Sequence, residues 1–221
     1  MFNKISFAYL ILIIAPLFPM AIGTAFRGPV AKENNRSASF VSQRLVAKEK
    51  YVIDKKASVV TWRGSMAFGD NGDHIGYVYV SKGELIIEKG QLVGGTVEID
   101  MNTLEYKNKQ DTNSPIHHLK SSDFFHVYSF PTSTFAITKV TSVTSENMEV
   151  TGNLTIKDVT QAITFPAKIE VKGGVVNANG KVTIDRTRWG IRYKSGKFFD
   201  NLADEAISDD IEFEMKIVAK K

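Results

Sequence analysis

The chain contains 221 residues with a formal net charge of +4; 43% are hydrophobic and 24% charged, which is typical of a folded chain with its own core. Cysteine is absent, which excludes disulfides, thiolate catalysis and zinc or iron–sulfur centres held by cysteine. The mild positive charge includes no polybasic tract, so no nucleic-acid partner is expected.

The N-terminal segment has the pattern of a secretory signal. Lys4 precedes an apolar run over residues 5–22, and small residues follow this run up to Ala25. A retained membrane anchor is the alternative, but the run is at the lower limit of spanning length and two prolines interrupt its second half. We predict a signal peptide over residues 1–25 that is cleaved after Ala25, and a periplasmic or secreted location.

The rest of the chain divides into a spacer and one domain. Residues 26–48 are polar and show no hydrophobic period, which predicts a flexible linker. Over residues 49–221, alternation, β-branched residues and glycine-marked turns predict strands. We predict strands over residues 51–54, 59–63, 75–80, 84–88, 95–101, from 133 onward, 148–156, 162–171, 176–185 and 209–218, with turns at 81–83, 89–90, 157–158 and 173–174.

These strands predict an all-β fold, an antiparallel eight-stranded barrel. Short turns join about eight or nine strands, and short connections make sequential strands antiparallel neighbours. A sandwich or a closed barrel can bury the apolar face of each strand, and the continuous meander favours an up-and-down barrel. The interior has room for side chains or one slender ligand. One irregularity is expected, because Val140 can share the face of Phe135 and Ile137 only through a β-bulge.

The long interval over residues 102–131 predicts a short helical cap over one barrel mouth. Residues 114–115, a Ser-Pro pair, are typical of an N-cap and a first helical position. Phe124 and Phe125 are apolar anchors in an otherwise polar stretch. They either plug the core or form a gate for an apolar ligand.

The run HLKSSDFFHVYSFPTSTF, residues 118–135, resembles the signature of the YceI-like lipid/polyisoprenoid-binding family, which is roughly HL-x-S-x-D-F-F followed by a proline and by TF at the start of a strand. The resemblance extends over about residues 50–219, although residues 105–111 form a loop that differs from the family pattern. Further pieces agree in order: Tyr51 to Trp62, His74-x-Gly76-x-Val78, Ile99 to Met101, Val150 to Lys157, Asp185-Arg186 with Gly190-Ile191, and Asp209 to Phe213.

The resemblance implies a lipocalin-like barrel with a helical cap. It also implies an exported, non-enzymatic protein that holds a polyisoprenoid, an isoprenoid quinone or a fatty acyl chain in its pore for transport, storage or sequestration. We therefore expect an isoprenoid or other long-chain lipid as partner, and leave transient membrane contact and a homodimer open. No cofactor is expected.

The predicted ligand site combines an apolar pore with a polar mouth. His74, Arg186 and Arg188 are candidates for contact with an anionic head group, and the two arginines share a face if their strand continues. A solvated strand exterior is the alternative for the arginines. The predicted pore-lining residues are Trp62, Val78, Val97, Ile99, Phe124, Phe125, Phe135, Ile137, Leu154, Ile156, Phe165, Trp189, Phe213 and Met215.

Two other functions remain open. An enzyme acting on such a lipid could use His74 or Asp123, and a polar dyad at the end of an apolar tunnel would favour it. A structural or stress protein would have a filled barrel. The four histidines are scattered and lack carboxylates or cysteines at metal-site spacing, so no metal ion is expected.

Overall fold

The computed structural model describes residues 47–68, 73–110 and 114–221. The predicted signal peptide and most of the predicted linker therefore lie outside the described residues. In the described part, no helix is long and apolar enough to cross a membrane.

The described residues form nine strands, one short helix and two 3-10 turns. The strands are long and alternate between buried and exposed positions, as the period-two sequence pattern requires. The elements are β1 (Glu49–Ile53), β2 (Val59–Gly64), β3 (His74–Glu88), β4 (Gln91–Tyr106), α1 (Ile116–Lys120), β5 (Thr132–Ser142), β6 (Asn147–Ile156), β7 (Val159–Lys172), β8 (Val175–Asp185), the 3-10 turns Arg186–Trp189 and Ala203–Glu205, and β9 (Asp210–Lys220).

The nine strands close into an antiparallel barrel with eight strand positions, because β1 and β2 together occupy one of them. This confirms the predicted fold class. β1 and β2 form one interrupted strand position, because both pair with β3 on one side and with β9 on the other. At the interruption, the buried Ser58 hydroxyl donates to the carbonyl oxygen of Val218 at 3.3 Å and accepts from its N–H at 3.0 Å. These bonds replace ladder bonds that the interruption removes.

Two local predictions have different outcomes. The predicted turn at residues 81–83 is wrong, because β3 runs through it as a single strand of 15 residues with a bulge between Val80 and Lys82. Gly83 is needed there for close backbone approach rather than for a turn, since a Cβ atom would lie 2.5 Å from the carbonyl oxygen of Thr96. The bulge expected before Val140 is confirmed by the register shift between Ile137 and Lys139.

The two ends of the barrel differ. β2, β4, β6 and β8 finish at one end, where the long loops and α1 lie, and we call this the cap end. α1 begins at Ile116 after Pro115, one residue later than predicted, and Phe124 and Phe125 are buried behind it. Tight turns join the strands at the opposite end, the closed end, and buried apolar side chains fill it, including Tyr51, Ile87, Leu92 and Val176.

Candidate functional site

The barrel encloses a cavity of about 390 Å³. Protein interiors are normally packed so closely that few voids exceed the size of a water molecule. The cavity is instead within the size range of small-molecule sites, about 300–1,000 Å³. Its wall includes Phe124 and Ile156 near the cap and Leu92 and Ile169 near the closed end, so the cavity extends from the cap toward the closed end. The barrel is therefore not filled by its own side chains.

Almost all predicted pore-lining residues face this cavity. Alternation placed the strand residues on the inner face, and burial of the cap placed its two phenylalanines over the mouth. The predicted residues that line the cavity are Trp62, Val78, Val97, Ile99, Phe124, Phe125, Phe135, Ile137, Leu154, Ile156, Phe165, Phe213 and Met215.

Aromatic rings of the wall pack closely against glycines of neighbouring strands. A Cβ atom on Gly152 would lie 2.4 Å from Cζ of Phe135, and one on Gly180 would lie 2.9 Å from Cε2 of Phe165. The two rings are neighbours, with centroids 5.5 Å apart. The two rings therefore occupy space that a side chain at either glycine would need.

Trp62 also packs against a glycine of a neighbouring strand, near the cap end. Its indole covers Gly76, where a Cβ atom would lie 2.3 Å from Cζ2, and it stacks against Tyr106 with ring centroids 6.4 Å apart. Among the described residues, no hydrogen-bond acceptor serves its buried Nε1. An unsatisfied buried donor destabilises the fold, so Trp62 is present for its shape and apolar area rather than for its N–H group.

Two predicted site residues lie away from the cavity. Trp189 is completely buried behind the wall, where Nε1 donates to the carbonyl oxygen of Leu154 at 3.1 Å. Arg188 is exposed, with its guanidinium 5.4 Å from the centre of the Trp189 ring and a hydrogen bond to Gln161. The reason is local, because β8 ends at Asp185, whose carboxylate caps a 3-10 turn by accepting from the N–H of Thr187. Arg186 and Arg188 therefore do not share a strand face.

Arg186 lines the cavity, but its guanidinium holds loops together. Nε, Nη1 and Nη2 donate to the carbonyl oxygens of Ser208, Ile191 and Ile207 at 2.9, 2.9 and 3.1 Å. Asp209 is 3.3 Å from Nη2. Burial lowers the pKa of the Arg186 guanidinium, and Asp209 opposes that shift. The residue is an architectural cation that ties the 3-10 turn to the segment before β9.

Two histidines supply polar atoms at the cap end. His74 lines the cavity with Nδ1 3.2 Å from the Tyr106 hydroxyl. His118 also lines the cavity, and its Nε2 lies 3.0 Å from Oδ2 of Asp123. The His118 ring lies edge-on to Phe124 and Tyr193, with centroids 5.0 and 4.6 Å away. The His–Asp dyad and the aromatics thus close one side of the mouth together.

The wall also contains residues outside the predicted set. Val150, Ile211 and Ile217 follow the strand alternation and could have been found from it. Met66, Ile207 and Ser208 lie in loops without a period, and an isolated bridge between Met66 and Ile207 brings two of these loops together.

No metal centre is apparent in the described ranges. No three histidine or carboxylate side chains there are grouped closely enough to hold an ion. The expectation that the protein binds no metal stays a prediction, to be tested by elemental analysis of untagged protein.

The fold and the cavity define a class of protein, a closed antiparallel β-barrel of lipocalin type with an apolar space in its centre. Residues 51–219 match the family model described as YceI-like domain. The match includes most of the chain, so the protein belongs to the YceI-like family, and the resemblance noted in the sequence is confirmed.

Curated relatives support this assignment. The chain is 32% identical over 146 residues to Protein YceI of Salmonella arizonae, covering 62% of this chain and 70% of that one. It is 31% identical over 146 residues to a UPF0312 protein of Pseudomonas aeruginosa, with the same two coverages, 62% and 70%. A UPF0312 protein of an Enterobacter strain is 32% identical over 108 residues, 45% of this chain, and the chain spans only 54% of that protein's length.

Solved structures share the fold. BcnA of Burkholderia cenocepacia aligns with a TM-score of 0.62 and 19% identity over 76% of this chain and 99% of that one. A polyisoprenoid binding domain from Saccharophagus degradans, implicated in plant cell wall breakdown, aligns with a TM-score of 0.55 and 12% identity over 77% of this chain and 97% of that one. At these identities the likeness concerns the architecture.

Proposed function

We propose that the protein is a non-enzymatic carrier that holds the apolar tail of a long-chain amphiphile inside the barrel, for transport, storage or sequestration. The cavity of about 390 Å³ with its largely apolar wall is the observation that carries this proposal. An empty space of this size loses packing contacts that a well-filled core would have. A lipid chain restores those contacts, and the polyisoprenoid binding domain with the same fold supports an isoprenoid-type chain.

Apolar burial is sufficient to hold such a ligand. Each buried CH₂ group contributes about 0.8 kcal/mol, so ten buried carbons contribute about 8 kcal/mol before the cost of ordering the chain. No catalytic group is required for this. The rings of Trp62, Phe135 and Phe165 in the wall add large apolar area for contact with the chain.

Native mass spectrometry of protein purified from its own cell tests the proposal. We expect a mass excess that matches one long-chain lipid per barrel, and organic extraction should release that lipid and remove the excess. A barrel that carries no extractable lipid and does not take up a polyprenyl alcohol, a quinone or a fatty acid on incubation would contradict the carrier function.

An enzyme is the second candidate, favoured by the His118–Asp123 dyad beside the apolar cavity. A base in this position could move a proton on a bound lipid. The described hydrogen bonds of the His118 ring join it only to Asp123, and the nearby Ser121 hydroxyl donates to the His118 carbonyl oxygen at 2.8 Å, so the ring engages no hydroxyl nucleophile. His118→Gln separates the candidates by the identity of the extracted lipid: a carrier yields the same lipid from the variant as from the parent, whereas an enzyme loses turnover and the variant yields unreacted substrate in place of product.

We further propose that the cap end touches membranes during exchange. Phe68, Phe198 and Phe199 are exposed in loops at this end, and Tyr128 is 98% exposed in the loop before β5. Arg192 lies 4.5 Å from the centre of the Phe198 ring. Aromatic and basic side chains around the mouth suit the interface of a bilayer.

Vesicle binding tests this contact. Replacing Phe198 and Phe199 by serine should reduce sedimentation with phosphatidylglycerol-containing vesicles and slow lipid transfer. The matched control is Val143→Ser, which removes an exposed apolar side chain (71% accessible) from a turn at the closed end. Equal losses for both changes would contradict a specific role of the cap end.

We also propose export through residues 1–25, supported by the basic start, the apolar run and the small residues before Phe26. The intact mass of the protein from a periplasmic or culture fraction should match a chain that begins at Phe26. A full-length mass confined to the membrane fraction would instead favour the anchor.

A further inference from the structure

The cavity wall has one charged residue in the described part of the chain, and that is Arg186. We propose that the ligand's head group is uncharged: an alcohol, a ketone or a quinone on a long apolar chain, rather than a phosphate or a carboxylate. This inference rests on the proposed carrier function and narrows the class of ligand.

The charge of Arg186 is already matched. Its nitrogens donate to three backbone carbonyls, and Asp209 lies 3.3 Å from Nη2. The side chain is 1% exposed and Asp209 15%. A ligand anion would therefore meet a guanidinium whose partners are in place, and would add a negative charge beside Asp209.

Four other cations of the cap end have partners of their own, and a fifth, Lys157 in the turn between β6 and β7, does not line the cavity. Lys197 contacts Asp185 at 2.7 Å and Asp209 at 3.3 Å. Arg188 bonds Gln161, and Arg192 covers Phe198. Lys194 pairs with Glu205, and none of these four cations lines the cavity.

The short segments outside the described ranges supply no cation. The sequences of residues 69–72 and 111–113 contain Asp70 and Asp111 but no lysine or arginine. Asp123 beside His118 adds a further carboxylate at this end. An anionic head group that entered the cavity would lose water without gaining a free counter-charge, which is unfavourable.

An uncharged head-group oxygen can pair with the other polar side chains of the cavity wall. His74 uses Nδ1 toward Tyr106 and His118 uses Nε2 toward Asp123, and no hydrogen bond among the described residues engages the other nitrogen of either ring. Imidazole nitrogens donate or accept according to tautomer, and Ser208 in the wall adds a hydroxyl that accepts from the N–H of Asp210 at 3.2 Å and keeps its own proton to donate. A hydroxyl or carbonyl oxygen can pair with such groups without a compensating charge.

Three ligands with the same tetraprenyl chain and different head groups test the proposal. Calorimetry on delipidated protein that begins at Phe26 would measure the dissociation constants of geranylgeraniol, geranylgeranyl monophosphate and a tetraprenyl quinone. We expect the alcohol and the quinone to bind at least tenfold more tightly than the monophosphate. A monophosphate that binds as tightly or more tightly would overturn the neutral-head inference while leaving the carrier function intact. Failure of all three to bind would instead contradict the carrier function.

Two variants make a positive charge available to a ligand in the cavity. Asp209→Asn removes the partner of Arg186 and should tighten binding of the monophosphate at least fivefold without changing binding of the alcohol. Leu119→Lys places a cation in the wall at the cap end and should act in the same direction if the first variant does not fold. Unchanged monophosphate affinity in a folded variant of either kind would overturn the inference.

Discussion

The ring of Phe135 lies so close to Gly152 on the neighbouring strand that a Cβ atom there would be 2.4 Å from Cζ and 2.6 Å from the carbonyl oxygen of Ala136. Gly180 has a similar relation to Phe165, but its nearest atoms all belong to side chains. The bore of the cavity therefore depends on two residues that have no side chain of their own.

Alanine substitutions at three glycines should rank by these distances. Gly152→Ala must displace backbone as well as a ring and should cost about 2–3 kcal/mol, whereas Gly180→Ala displaces only side chains and should cost about 1 kcal/mol while narrowing the lumen. Gly94→Ala is the control, because the nearest atom to its Cβ would be 4.0 Å away. Chemical denaturation and lipid content would be measured together, and a Gly94 variant as unstable as the Gly152 variant would contradict the ranking.

Filling the cavity should reduce ligand binding more than stability. Ile137 lines the cavity, so Ile137→Trp can place its ring in the ligand's space and should lower lipid content with little change in the melting temperature of delipidated protein. Ile87 is the matched control, since it is 1% exposed and lies outside the cavity wall. Ile87→Trp overpacks the core and should cost about 1–3 kcal/mol.

A large loss of stability in Ile137→Trp would contradict this prediction. If Ile137→Trp melts as far below the parent as Ile87→Trp does, and the parent yields no lipid, the interior behaves as packed core. The carrier function would then be wrong.

The barrel and most of its wall were predictable because alternation is a local signal that fixes which face each side chain occupies. Phe213 and Met215 on β9 follow directly from it. The role of Arg186 was not predictable, because the end of β8 depends on capping by Asp185 and on carbonyls from a loop some twenty residues away. The bulge in β3 was mistaken for a turn because a Ser-Lys-Gly sequence suits both.

Arg186 and Arg188 should differ sharply in their contribution to folding. Arg186→Met leaves three carbonyls and Asp209 without their buried partner and should cost about 3–5 kcal/mol. Arg188→Met on the same 3-10 turn removes an exposed side chain and should change stability by less than about 0.5 kcal/mol. Urea titrations of both variants measure this, and similar midpoints would contradict the architectural role of Arg186.

The two tryptophans should also respond differently to phenylalanine. Trp62→Phe removes a buried donor that has no described acceptor, so stability should stay within about 1 kcal/mol of the parent. Trp189→Phe deletes the bond to Leu154 and leaves a void in a fully buried site, and should cost about 2–3 kcal/mol. The Trp189 variant keeps one tryptophan, beside the cavity, whose fluorescence should change on lipid uptake.

Acid should destabilise the barrel partly through Glu105. The Tyr79 hydroxyl at 2.7 Å, and then Lys109, hold the pKa of Glu105 below its ordinary value of 4.5 in the folded protein. The unfolded chain then binds more protons as pH falls, so this stabilisation is present above about pH 4.5 and is lost as pH drops through the folded-state pKa. Glu105→Gln should make the fall in melting temperature from pH 5 to pH 3 shallower.

Two further changes check the cause of that pH dependence. Tyr79→Phe removes the larger contribution and should flatten the acid profile more than Lys109→Met does. The reverse order, or a Glu105→Gln profile parallel to the parent, would contradict the assignment to this hydrogen bond.

The interrupted first strand position, formed by β1 and β2, pairs with β9, and residues as distant in sequence as Ser58 and Val218, 160 positions apart, form this seam. Contacts of such long range form late, because the entropy of closing the chain must be lost before they are made. A nascent chain that has not yet made β9 has an interior open to water along its whole length and cannot retain a lipid. Under the proposed carrier function, loading follows synthesis of the last strand, and separation of β9 from β1 and β2 would open the side wall of the barrel.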